Sequence, residues 1–249
     1  MKELIGPWPC RARNTPVAVL SHRGRLGPPG HGRDNTLAAF AGAMAAGADG
    51  VELDVRATAD GVPVVHHDPE VDGVGPLHLV RAADLPPWLP TLEAALAACA
   101  GAAVDVEVKN SPAEAGHDPG EGAARAGAEI LAGCLGTPNG PARALVSAFW
   151  PGSLEAVQEA CPELPTGLLA FPGAGAVEAL ERAAGLGCRA LLPFGPGGPG
   201  LVEAAHRSRL AVVCWGVDSG ADLAAAGAAG VDGVITDEPA RALEVLGRR

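Results

Sequence analysis

The stretch Gly50-Val51-Glu52-Leu53-Asp54-Val55 alternates between apolar and acidic residues. A period of two marks a β-strand, whose successive side chains point to opposite faces. Glu52 and Asp54 therefore share one face, and Val51, Leu53 and Val55 the other. The stretch Val104-Asp105-Val106-Glu107-Val108-Lys109 repeats the pattern and puts Glu107 and Lys109 on one face. Two more apolar runs end in histidine: Val17-Ala18-Val19-Leu20-Ser21-His22-Arg23 and Val62-Pro63-Val64-Val65-His66-His67-Asp68. In all four the chemistry sits at the downstream end of a strand, where a parallel barrel carries its active site.

Working outward, an apolar run followed by an Ala-rich helical stretch recurs eight times. The helical stretches fall at 35–46, 91–100, 122–135, 153–160, 176–184, 201–208, 222–229 and 240–246, with Asn35 or Thr36 and then Thr91 as N-caps. Alternation of this kind predicts a parallel sheet with helical crossovers. Eight units in 249 residues predict an α/β fold of one domain over 1–249, a closed (β/α)8 TIM-type barrel. A doubly wound open sheet is the alternative, weakened because no GxGxxG follows the first strand. The run at 62–67 follows Val55 too closely for a parallel crossover, which needs a dozen residues or more. It predicts a β-hairpin extension after strand 2, turning at Ala59-Asp60-Gly61, that brings His67 back over the barrel mouth.

Bulk properties exclude several classes. The formal charge of −11, from 29 acidic and 18 basic residues, argues against a nucleic-acid surface. Six cysteines form no CxxC pair and no zinc spacing, and read as small buried apolar residues. The first nine residues contain two prolines and no apolar core of a signal peptide. No apolar run approaches the roughly 20 residues of a membrane span. These features predict a cytoplasmic protein without stable membrane insertion. Aromatic residues are 3% of the chain, with no Tyr, and form no cluster along the sequence.

Three carboxylates in one pocket repel each other unless protons or a cation intervene. Glu52, Asp54 and Glu107 offer oxygen alone, which suits a divalent cation such as Mg²⁺ or Ca²⁺. The bland alternative, ordinary exposed acids, fits poorly on inner barrel strands that have no face open to solvent. A histidine titrates near pH ~6.5 and can give or take a proton at neutral pH. His22 and His67 each end a strand beside a charged residue, whereas His31, His78, His117 and His206 fall in loops or helices and read as structural. Alternation alone does not choose between His66 and His67. Arg23 can grip a phosphate in bidentate fashion and Lys109 can act as a point charge, or Lys109 can simply pair with an acid.

Taken together, the chain resembles the glycerophosphodiester phosphodiesterase family. The resemblance rests on His22-Arg23-Gly24, Asp34-Asn35-Thr36-Leu37-Ala38-Ala39-Phe40, 47–55, 60–68, Pro90-Thr91-Leu92-Glu93 and Glu107-Val108-Lys109, and further on 146–149, Trp215-Gly216-Val217-Asp218 and 230–239. It implies a barrel that hydrolyses a small-molecule phosphodiester to glycerol 3-phosphate and an alcohol. By the same resemblance Glu52, Asp54 and Glu107 hold a divalent metal and His22 and His67 form the acid/base pair. Arg23 and Lys109 hold the phosphate, and Phe149 and Trp215 line the mouth. In the family the glycerol 2-hydroxyl is thought to attack first, giving a cyclic phosphate that water opens. Two departures stand out: Asp34 replaces the family's usual Glu, and the segment after Pro69 is short. Two other readings remain. One is a barrel that binds a phosphorylated ligand without turning it over. The other is a phospholipid head-group lyase ending at the cyclic phosphate, which would need an apolar, interfacial surface.

Overall fold

The computed structural model describes residues 16–28 and 33–248; the N-terminal segment, Cys10 and His31 lie outside them. Eight parallel strands close into a barrel. They are β1 (Ala18–His22), β2 (Gly50–Ala57), β6 (Ala103–Val108), β7 (Arg143–Ala148), β8 (Thr166–Leu169), β9 (Ala190–Leu192), β10 (Ala211–Trp215) and β11 (Gly233–Thr236). Each pairs with the next, and β1 pairs with both β2 and β11, so the barrel has no open edge. Helices α1 (Leu37–Ala45), α2 (Leu92–Ala98), α3 (Gly122–Cys134), α4 (Pro151–Ala160), α5 (Ala176–Gly185), α6 (Pro199–Arg207), α7 (Gly220–Ala229) and α8 (Pro239–Val245) follow the barrel strands in turn.

Local chemistry sets these boundaries. The hydroxyls of Thr36, Thr91 and Ser219 accept the backbone N–H groups of Ala39, Ala94 and Asp222 and cap α1, α2 and α7. Proline opens α4, α6 and α8, where its missing N–H costs nothing. Helix α1 starts at Leu37, two residues later than predicted, because Asn35 adopts a left-handed φ of 53° that no helix continues.

Strand alternation partitions the apolar residues into two cores. The outward faces of β2 and β6, with Val51, Leu53, Val104 and Val106, pack against the helices. The inward faces contribute Leu20, Leu145, Leu192 and Ile235 to a second cluster inside the barrel. Gly50 lies where the barrel wall is tightest: a Cβ there would collide with the Ala103 carbonyl.

The hairpin forms as predicted. Strand β3 (Pro63–Val65) runs antiparallel to the end of β2, with Val55 opposite Val65, and the Thr58 N–H donates to the Val62 carbonyl to close the turn. The segment that follows is more ordered than a short loop. It folds into a ribbon of β4 (Glu70–Val71) and β5 (Gly75–Pro76) and two 3₁₀ turns. These close around their own apolar cluster of Val64, Val71, Leu77 and Leu89. Among the described residues no helix is long and apolar enough to cross a membrane.

Candidate active site

The register of the barrel brings the predicted residues to one mouth. Strands β2 and β6 pair with Asp54 beside Glu107 and Glu52 beside Asp105, and β1 sets His22 beside Glu52. The His66 N–H donates to the Asp54 carbonyl, which carries the chain back so that His67 faces the same mouth. His22, Arg23, Glu52, His67, Glu107 and Lys109 line one cavity of about 160 Å³ at the C-terminal ends of the strands. Phe149 and Trp215 form its apolar wall. Asp54 stands directly behind and is fully buried. His66, the neighbour that alternation could not exclude, points away and packs edge-on against Trp88 at 6.1 Å.

One oxygen from each of Glu52, Asp54 and Glu107 lies within 4.8 Å of the others. Burial, then the charges of Asp54 and Glu107, push the Glu52 carboxyl well above its ordinary range. Burial likewise raises Glu107, to about 7, against the opposing pull of Lys109. Burial opposes ionisation of Asp54 too, but the cations Lys109 and Arg23 outweigh it and hold that carboxyl below the usual range. The Lys109 Nζ lies 3.1 Å from Asp54 Oδ1 and 2.5 Å from Glu107 Oε1, and the Arg23 Nε lies 3.0 Å from Asp54 Oδ2. Glu52 Oε1 is buried and accepts no hydrogen bond, whereas Asp54 Oδ1 faces the Lys109 ammonium. Three converging carboxylates, one with a bare buried oxygen, fit a hard divalent cation with oxygen ligands. Lys109 pairs with acids, as its bland reading held, and still faces the cavity with Nζ 5.9 Å from the Phe149 ring centroid.

Both histidines are tethered through Nδ1. The His22 Nδ1 lies 2.7 Å from Asp237 Oδ1, and the His67 Nδ1 lies 2.7 Å from Asp68 Oδ1. Burial raises the Asp237 carboxyl, but the hydrogen bond and charge of His22 overcome it, so that the net shift is downward. An ionised carboxylate only accepts, so each Nδ1 carries the proton and each Nε2 is turned toward the site, that of His22 lying 3.9 Å from Glu52 Oε2. Burial is also the leading influence on His67 and lowers it below the ordinary imidazole range.

A family model described as the glycerophosphoryl diester phosphodiesterase family matches residues 22–241, which takes in every strand of the barrel from the end of β1 onward. The chain belongs to the glycerophosphoryl diester phosphodiesterase family. By that membership it is an enzyme, a phosphoric diester hydrolase. A glycerophosphodiester phosphodiesterase of Caldanaerobacter subterraneus subsp. tengcongensis is 33% identical, over 89% of this chain and 94% of the relative. A solved structure from Silicibacter pomeroyi DSS-3 is 25% identical, with a TM-score of 0.80 over 95% of both chains. A phosphodiesterase from Oleispira antarctica, solved in complex with the product sn-glycerol-3-phosphate, has the same fold, with a TM-score of 0.77 at 22% identity over 93% of this chain and 97% of that one.

Within this phosphodiesterase barrel, sequence reasoning missed a layer of supporting residues. Arg25 bridges two carboxylates: its Nη2 donates to Asp34 Oδ2 at 2.6 Å and its Nη1 to Asp237 Oδ2 at 3.0 Å. The shortened Asp34 thus reaches His22 at second hand, through Arg25 and Asp237. Asn35 donates to Asp54 Oδ2 at 2.8 Å from its left-handed position. Asp105 and Ser147, both fully buried, line the cavity floor. Burial holds the Asp105 carboxyl well above its usual range, with the neighbouring Ser147 hydroxyl pulling the other way. Two of these carried a signal: Asp105 alternates with Glu107, and Asp237 ends the eighth apolar run. Arg25 lies in a Gly/Pro loop that offers no periodicity to read.

The structure also corrects the expectation that the aromatics form no cluster. Phe149 stacks on Phe171 at 4.4 Å between ring centroids and meets Trp215 edge-on at 5.6 Å, and Trp215 meets Phe194 at 4.8 Å. Residues scattered from 149 to 215 form one continuous aromatic rim.

Proposed function

We propose that this enzyme hydrolyses glycerophosphodiesters to glycerol 3-phosphate and an alcohol in the cytoplasm, with a divalent cation, Mg²⁺ or Ca²⁺, as cofactor. One observation carries the reading: two Nδ1-tethered histidines, two cations and two carboxylates line a single 160 Å³ cavity, with Asp54 completing the carboxylate triad behind it. Glu52, Asp54 and Glu107 would hold the cation. Bound there, it would offset negative charge developing on the phosphoryl oxygens.

The remaining roles belong to the chain's own side chains. Arg23 and Lys109 bind and orient the phosphate, and their charges also keep Asp54 ionised. Phe149 and Trp215 exclude water from one side of the bound diester. His67, whose lowered pKa keeps it neutral near pH 7, takes the proton of the attacking oxygen at its free Nε2. His22, fixed by Asp237, gives a proton from Nε2 to the departing alcohol oxygen. The glycerol 3-phosphate bound by the Oleispira antarctica phosphodiesterase supports a product of this class.

The test is release of glycerol 3-phosphate from glycerophosphocholine, followed before chelation, after EDTA, and after return of Mg²⁺ or Ca²⁺. Loss on chelation and recovery with metal support the proposal. A rate untouched by thorough chelation contradicts the metal assignment. Tight binding with no product over long incubation would favour the ligand-binding barrel, and a cyclic ester seen by phosphorus NMR as the end product would favour the lyase.

A further inference from the structure

We propose that the aromatic rim is a subsite for an alkyl or acyl chain carried by the phosphodiester, so that chain-bearing glycerophosphodiesters are better substrates than bare ones. The proposal rests on the phosphodiesterase reading above and names the substrate class of that same site.

More than half of the chain's aromatic residues gather in one place. The chain contains four Phe and four Trp and no Tyr, and five of those eight, Phe149, Trp150, Phe171, Phe194 and Trp215, gather at the cavity mouth. The inner pair, Phe149 and Trp215, walls the catalytic cavity. The outer rings are open to solvent: Phe171 is 64% exposed and Phe194 48%. Such exposure forgoes apolar burial in a chain whose core is otherwise built from Val, Leu and Ala.

Beyond these rings lies a groove of about 350 Å³ between the loops after β8 and β9. Phe171, Ala174, Leu191, Pro193, Phe194 and Leu201 line it, and no ionisable side chain does. The groove is continuous with the chemistry: Phe171 stacks on Phe149 and Phe194 packs on Trp215, both walls of the catalytic cavity. A group lying on these rings rests on the same aromatic wall that closes the catalytic cavity, and that continuity points to an arm of the substrate as the occupant. The 160 Å³ cavity serves the phosphate and its polar ester arm, and the groove serves an apolar one.

The chemistry is unchanged. Water supplies the oxygen that bonds phosphorus, the phosphorus–alcohol oxygen bond breaks, and the alcohol leaves with a proton. The chain can enter from either ester arm, as an acyl group on glycerol or as an alkyl alcohol.

The experiment compares kcat/KM for glycerophosphocholine with two series at monomeric concentrations. One comprises monoacyl glycerophosphocholines with butanoyl, hexanoyl and octanoyl chains; the other comprises glycerophosphobutanol, glycerophosphohexanol and glycerophosphooctanol. In one series kcat/KM rises about twofold per methylene, roughly half the gain of complete burial, and the series that rises identifies the arm. Phe171→Ser and Phe194→Ser flatten that rise and leave glycerophosphocholine turnover and melting temperature unchanged. Flat series alongside full glycerophosphocholine turnover overturn the subsite and leave the phosphodiesterase reading standing. A rise that is absent at monomeric concentrations and emerges only when the octanoyl and octanol substrates are raised above their aggregation concentration also overturns it and assigns the rim to a lipid surface. Release from none of the diesters overturns both readings.

Discussion

Asp237 Oδ1 stands 2.7 Å from His22 Nδ1, although 215 residues separate the two in the chain. The barrel makes them neighbours because β11 pairs with β1 and each residue ends or follows its strand. The contact fixes the tautomer and orientation of the imidazole. Asp237→Asn can no longer hold Nδ1–H as an ionised acceptor, so kcat for glycerol 3-phosphate release falls about 10–100-fold with KM little changed. His22→Ala and His67→Ala each lower kcat by at least about 10²-fold without unfolding the protein. Steady-state kinetics alongside a circular-dichroism melt check this, and full activity in either histidine variant would refute its acid/base role.

Arg25 ties Asp34 to Asp237 and so couples the β1–α1 loop to the His22 support. Arg25→Met and Asp34→Asn break the same chain of contacts. Their effects on kcat are non-additive, with a coupling of about 1 kcal/mol in a double-mutant cycle. Arg25→Lys, which keeps the charge, recovers part of the loss. Strict additivity would show that Asp34 acts independently of His22.

Chelation exposes a pH dependence with a definite sign. Burial raises Glu107 from 4.5 to about 7, and Glu52 is raised as well. A carboxyl that binds its proton more tightly when folded stabilises the protein below its unfolded pKa. That contribution is lost as pH rises through the folded value. Asp54 shifts the other way, and its contribution is already complete above the ordinary carboxylate range; His67, lowered by burial, opposes the trend up to the ordinary imidazole range, against three raised carboxyls, Glu52, Asp105 and Glu107. The melting temperature of the EDTA-treated enzyme therefore falls between about pH 5 and about pH 8, and Mg²⁺ or Ca²⁺ restores more of it at the upper end. Scanning calorimetry with and without metal checks the slope; a chelated enzyme that gains stability over that window would contradict it.

Three thiols are locked in the core. Burial pushes Cys99 and Cys214 up to about 12 and Cys188 up to about 11. Near pH 8 each is less than about one part in 10² thiolate, and the thiolate is the reactive form. A colorimetric thiol reagent therefore leaves these three untouched in the native enzyme and reaches them on unfolding. Rapid native labelling of all three would show that the barrel opens.

The carboxylate triad was legible because strand alternation alone puts Glu52 with Asp54, and parallel pairing then aligns Asp54 with Glu107. The hairpin was legible from spacing, and with it the return of His67. The choice of His67 over His66 depends on how β3 meets β2, which periodicity does not encode. Arg25 and Asn35 were hidden in a loop whose contacts are set by tertiary closure and a left-handed turn. The aromatic rim was hidden because Phe171 and Phe194 end apolar runs in the sequence, whereas β8 stops at Leu169 and β9 at Leu192 and leaves both rings outside.

The account stands or falls on one cation held by residues far apart in the chain. Calorimetric titration of Mg²⁺ or Ca²⁺ into the chelator-treated enzyme tests it most directly. One site per chain is predicted, lost in Glu52→Gln and in Glu107→Gln and accompanied by return of glycerol 3-phosphate release. A fully active, chelator-treated enzyme that binds neither metal would contradict it.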